Sequence, residues 1–162
     1  VHNKIQVYGL PRSGTNFMEW SLMNNFKDLQ YFLGNTYTDV EGLFFYKQEI
    51  VTSVKHCYPS LDNCDFALVI FKDYENWYKS MFKLGWHRGE EEQTYQKYLK
   101  TAEELDPSRT IIVNHKWCTQ NYVECLNLIS EKTNTPLKEE IKMPTKRFHM
   151  SNNPTEDEYQ LY

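Results

Sequence analysis

The stretch YGLPRSGTNF, residues 8–17, places Gly9 and Gly14 at the glycine spacing of a phosphate-binding P-loop. Where that loop continues with Lys and then Ser or Thr, this chain has Thr15 and Asn16. The lysine normally reaches the outer phosphates and the hydroxyl binds Mg²⁺, so the apparatus for a metal-bridged β/γ-phosphate is missing. The residues that remain still suit an anion. Arg12 brings a full charge on a forked donor set, and Ser13, Thr15 and Asn16 add polar donors. A helix N-terminus after a tight turn adds N–H groups and the positive end of the helix dipole. The chemistry this supports is metal-free binding of a short anion, such as a 5′-phosphate carrying one further group. The plain alternative is a glycine-containing turn with an exposed arginine.

A loop of this kind has to be held between a strand and a helix, and the flanking sequence supplies both. KIQVYG, 4–9, reads as a short strand ending on glycine. Residues 15–26 read as a helix: Met18, Leu22 and Phe26 recur every four residues, and Phe17 and Met23 widen the stripe. Strand, tight turn and helix form the phosphate-binding half of a βαβ unit. IVTSVKH, 50–56, is rich in β-branched residues and reads as a strand, whereas 27–47 has a weak pattern expected to be mostly loop, with room for a short helix. FALVIF, 66–71, is the continuous apolar run of a strand buried on both faces. Asp73 is placed to cap a helix over about 74–84, and a polar helix over 90–105 is stopped by Pro107. TIIVN, 110–114, is another buried strand. A last helix is expected over 119–132, with Tyr122, Cys125, Leu126 and Ile129 at helical spacing. Strands alternating with helices predict a three-layer α/β/α domain with a central parallel sheet, spanning 1–162 as one unit.

Composition narrows the function classes. The formal net charge of −4 argues against a nonspecific nucleic-acid binder, so any anion site must be a local concentration of donors. Cys57, Cys64, Cys118 and Cys125 contain no C-x-x-C unit, which argues against zinc. Cys118 and Cys125 read as buried thiols on one helix face. No signal-peptide pattern and no membrane-spanning apolar run is visible, so a cytoplasmic setting is expected. A chain trimmed of an N-terminal anchor would look the same.

Read as a whole string, PRSGTNF resembles the P-K-S-G-T-T-W loop of the sulfotransferases that use 3′-phosphoadenosine 5′-phosphosulfate (PAPS). Pro11, Ser13, Gly14 and Thr15 match, while Arg12, Asn16 and Phe17 are substitutions of similar character. The resemblance implies a P-loop sulfotransferase-like topology and a loop that holds the 5′-phosphosulfate without metal. Arg12 would polarise the bridging oxygen, Thr15 and Asn16 would hold the phosphate, and Phe17 would help seat the adenine. FALVIFKDYENWYKS resembles the family's second signature, a buried strand running into R-[ND]-P with a serine eight residues after the arginine. That pair clamps the 3′-phosphate. Lys72 stands at the arginine position and Ser80 at the serine spacing, while Tyr74 replaces the proline. SVKHCYP resembles the family's K-T-H-x-P, implying His56 as general base and Lys55 as a stabiliser of the transferring group. Here Lys55 is adjacent to His56, and Pro59 lies three residues beyond it. MPTKRFHMSNN is similar to the family's basic C-terminal stretch without its glycines, which makes Lys146 and Arg147 candidates for the 3′-phosphate. The chain is shorter than familiar members of the family.

The function implied is sulfuryl transfer from PAPS to an acceptor hydroxyl or amine, with adenosine 3′,5′-bisphosphate (PAP) as product and no metal. The acceptor, whether small molecule, carbohydrate or protein, is not written in the sequence, and neither nucleic acid nor membrane is expected as a partner. Glu19, on the helix after the loop, is an alternative base or simply a carboxylate favoured by the helix dipole. Two rivals remain. A P-loop kinase predicts Mg²⁺ dependence. A non-catalytic nucleotide-binding protein accords with the shifted Lys–His spacing and with Lys in place of Arg.

Overall fold

The computed structural model of the chain describes residues 4–27, 58–62, 64–85 and 89–144. Three strands, β1 (Ile5–Tyr8), β2 (Phe66–Phe71) and β3 (Thr110–Asn114), form a parallel sheet in the order β1-β2-β3. Val7 pairs with Leu68 and Leu68 with Ile111, so apolar residues line up in rows across the sheet. Parallel neighbours require long crossovers. Among the described residues these contain the helices α1 (Thr15–Asn25), α2 (Tyr74–Lys83) and α3 (Glu91–Glu103), while α4 (His115–Gln120) and α5 (Tyr122–Thr133) follow β3. The fold is mixed α/β with a parallel sheet, as the alternation of strands and helices predicts.

The period-2 alternation of the strands sorts side chains into two clusters. Ile5, Val7, Leu68, Ile70, Ile111 and Val113 pack with α1, α4 and α5 on one face. Tyr8, Ala67 and Val69 pack with Trp77 of α2 and with Tyr95, Tyr98 and Ala102 of α3 on the other. Because β2 is the middle strand, Ala67 to Ile70 are fully buried, which explains why FALVIF has no polar residue. Arg109, in a 3₁₀ turn at Pro107–Arg109, ties the start of β3 to the approach of β2. Its Nε donates to the Asp65 carbonyl at 3.0 Å and its Nη2 to the Cys64 carbonyl at 2.7 Å.

Helix α1 is buried nearly all round rather than along one stripe. Its polar residues enter the interior by bonding backbone carbonyls, Ser21 Oγ to Phe17 at 2.8 Å and Asn24 Nδ2 to Trp20 at 2.9 Å. Asn25 does more. Its amide nitrogen donates to the Tyr122 hydroxyl at 2.9 Å and to the Lys142 carbonyl at 3.0 Å, and its Oδ1 accepts from the Lys142 N–H at 2.6 Å. Beside it, Phe26 forms an antiparallel bridge with Leu137.

Two local expectations need correcting. The helix predicted over 119–132 is two helices, because Asn114 Oδ1 accepts from the Trp117 N–H and starts α4 early, at His115. Asn121 (φ −130°, ψ 56°) then breaks it; its backbone N–H and its side chain both donate to the Trp117 carbonyl, at 2.8 and 3.2 Å. Asp73 precedes α2 but makes no side-chain cap bond; its Oδ1 accepts instead from Asn114 Nδ2 at 3.1 Å, joining the ends of β2 and β3. The strand expected at 50–56, the weakly patterned 28–47 and the tail from 145 lie outside the described residues. Among those that are described, no helix is long and apolar enough to cross a membrane.

Candidate functional site

The loop between β1 and α1 is a tight turn, closed by the Ser13 N–H donating to the Leu10 carbonyl at 3.1 Å. Its two glycines are fixed by different neighbours. A Cβ on Gly9 would lie 2.6 Å from Thr15 Cγ2 and 2.9 Å from the Ile70 carbonyl. Gly14, the N-cap of α1, has φ 99°, and a methyl there would overlap the His115 ring. Between them Arg12 takes φ 70°, a left-handed conformation that costs a non-glycine residue roughly 1–3 kcal/mol and persists only where the surroundings enforce it.

Helix α2 supplies that enforcement through two residues one turn apart. Trp77 is buried, and its indole N–H donates to the Pro11 carbonyl at 2.8 Å. Ser80 Oγ accepts from Arg12 Nε at 3.2 Å. The loop therefore rests on α2 at its backbone and at its cation. Ser80 and Arg12, read from separate stretches of sequence, meet at the C-terminal end of the parallel sheet, where α/β folds place ligands. Ser13 and Thr15 are buried in the turn, while Asn16 is half-buried on the first turn of α1. First-turn N–H groups have no intrahelical acceptors, and no acidic side chain stands in that turn to neutralise the dipole.

Lys72 follows β2 directly and is half-buried; its carbonyl accepts from the Tyr95 hydroxyl at 2.7 Å. Phe17 departs from its expected role. Its ring is only 2% exposed and packs edge-on against His115 at 5.3 Å and Tyr122 at 5.8 Å. It belongs to the interior beneath the loop, and a ring so enclosed has no face left for an adenine. Glu19 is wholly buried on α1. His56, Lys55, Lys146 and Arg147 lie outside the described residues.

Sequence reasoning missed His115. It begins α4 directly after β3, lies 7% exposed against Gly14 and Phe17, and faces the loop from below. Burial lowers its pKa from 6.5 to about 4, and the charge of Lys72 adds to the effect, so the imidazole is neutral near pH 7. The available signal was its position at the C-terminal end of the buried run TIIVN. A separate cleft of about 550 Å³ lies between α2 and α3, lined by Tyr74, Tyr78, Glu91, Glu92 and Gln96 among others. Its carboxylates make it a poor seat for an anion. Among the described residues no group of three or more His, Cys, Asp or Glu could hold a metal ion.

The chain matches no protein-family model, and no curated protein or solved structure is significantly similar to it.

Proposed function

We propose that the loop is the donor site of a PAPS-dependent sulfotransferase with P-loop sulfotransferase-like topology. The observation that carries this reading is the hydrogen bond from Arg12 to Ser80. It unites the two stretches that resemble the family's phosphate-binding signatures, on a helix N-terminus without an acidic neighbour. A guanidinium, a hydroxyl and first-turn N–H groups form a donor set that fits phosphate and sulfate oxygens. When bound, the donor supplies an activated sulfuryl group. Arg12 and the loop N–H groups stabilise charge that grows on the departing phosphate. Lys72 and Ser80 take the 3′-phosphate, with Lys146 and Arg147 as further candidates. His56 accepts the proton of the acceptor hydroxyl or amine, and Lys55 assists. Catalysis of this kind is positioning plus electrostatics.

The second reading is a non-catalytic nucleotide-binding protein. It is favoured by the buried Phe17, which removes the expected adenine platform, and by Lys72 in place of arginine.

The test is a thermal-shift titration with adenosine 3′,5′-bisphosphate, beside ATP with and without Mg²⁺. A ligand at a hundredfold excess over its Kd stabilises the native state by about 2.7 kcal/mol. A metal-independent shift with the bisphosphate is expected. Arg12→Gly should abolish it while leaving the fold intact, because glycine accepts the left-handed backbone at no cost. A shift with Mg–ATP alone would sink the proposal in favour of a kinase. Turnover with candidate acceptors then separates the enzyme from the binding protein.

A further inference from the structure

We propose that Cys118 and Cys125 are a disulfide-forming pair that closes the corner between α4 and α5. On one continuous helix, residues seven apart share a face but lie about 10 Å apart along the axis, out of reach of each other. The break at Asn121 removes that separation. Cys125 Sγ lies 2.9 Å from Cys118 Sγ, with both residues almost fully buried. That is inside the roughly 3.5–4.0 Å at which non-bonded heavy atoms rest, and less than about an ångström of movement brings the sulfurs to bonding distance.

Of the chemistries open to two thiols, the surroundings favour this one. A metal site needs further ligands, and none converge among the described residues. A nucleophilic thiol needs a cation or a helix N-terminus to hold the thiolate. Cys125 stands in the first turn of α5, but its thiol bonds the Cys118 sulfur within the apolar cluster that also holds Phe17, Tyr122, Leu126 and Ile129. The hydrogen bond with the Cys125 thiol, and then burial, instead raise the Cys118 pKa. A disulfide requires only proximity and an oxidant.

The oxidant is a small-molecule disulfide such as glutathione disulfide. One cysteine thiolate attacks a glutathione sulfur, expelling one glutathione thiolate and leaving a mixed disulfide. The second cysteine attacks the protein sulfur of that mixed disulfide and expels the second glutathione. The two protein thiols lose two electrons and two protons, and the glutathione disulfide is reduced to two thiols. Because the folded pair is enclosed and protonated, the bond forms as the chain folds and is afterwards shielded from reductant. It ties to α5 the helix that presents His115 to Gly14.

The experiment refolds the full chain from the reduced, unfolded state with glutathione and glutathione disulfide, and in parallel with reductant alone. Free thiols are alkylated under denaturing conditions before tryptic digestion. Cleavage after Lys116 and Lys132 leaves Cys118 and Cys125 in one peptide. The expected result is an unalkylated peptide lighter by two hydrogens, with a thermal midpoint about 5 °C or more above that of the reduced chain. Cys118→Ala and Cys125→Ala should each lose that increment. Recovery of the peptide with two alkyl groups after oxidative refolding would overturn the proposal. So would its cross-linking to Cys57 or Cys64.

Discussion

The neutral imidazole of His115 makes the stability of the chain depend on acid in a defined direction. The unfolded side chain titrates near pH 6.5, whereas the folded one, lowered chiefly by burial, titrates at about 4. Between those values the unfolded chain binds a proton that the folded chain refuses. Stability is therefore retained above about pH 6.5 and lost progressively as pH falls towards 4, where this contribution flattens at a total of about 3 kcal/mol. Urea unfolding at pH 7 and pH 4.5 should reveal a loss in the parent that His115→Phe largely removes. An equal loss in both would show that other groups carry the acid sensitivity. The residue scale is also where the sequence misleads. Phe17 matches the aromatic position of a family loop, yet the side chain turns inward because His115 and Tyr122 offer it rings to pack against. Nothing adjacent to it in the chain announces those partners, which are about a hundred residues away.

At the scale of elements, the meeting of α1 and α4 hinges on Gly14. Alanine there would be forced into a left-handed backbone while its methyl overlapped the His115 ring. Gly14→Ala should cost about 2 kcal/mol or more, read as a fall in the denaturant midpoint at unchanged slope. A neutral result would mean that His115 is free to move aside. Elements were legible wherever their signal was local. β2 and β3 begin and end where their apolar runs do, and α1 starts directly behind the glycine that fixes its entry. The break at Asn121 was hidden because Tyr122, Cys125, Leu126 and Ile129 keep helical spacing behind it. α4 ends where Asn121 leaves helical geometry while its N–H and its side chain both bond the Trp117 carbonyl, a local feature that hydrophobic period does not record. Asp73 was misread for a similar reason. Its cap position is real, but Asn114 from the next strand claims the carboxylate.

At the scale of the molecule, among the described residues the parallel sheet pairs β1 and β3 each with β2 and not with each other. Their helices need another tie, and Asn25 supplies it by joining α1 to Tyr122 of α5 and to both backbone groups of Lys142. Asn25→Ala would remove both of its bonds to the Lys142 backbone and the bond to Tyr122. It should destabilise the protein by about 2 kcal/mol or more, with hydrogen exchange accelerating at Lys142 and at the end of α1. Exchange unchanged at Lys142 would exclude this role. The layered α/β plan was readable because it follows from alternation of element types. The Asn25 tie was not, since a polar residue at the end of a helix reads as solvated until its partners are known.

The bond from the Trp77 indole to the Pro11 carbonyl has an optical consequence. Indole emission depends on what its N–H touches and on the field around the ring, and this N–H ends on the backbone of the candidate anion loop. A ligand that shifted Pro11 or brought negative charge to Arg12 would alter the light emitted from the helix behind it, so Trp77 would act as a built-in reporter of binding at this loop.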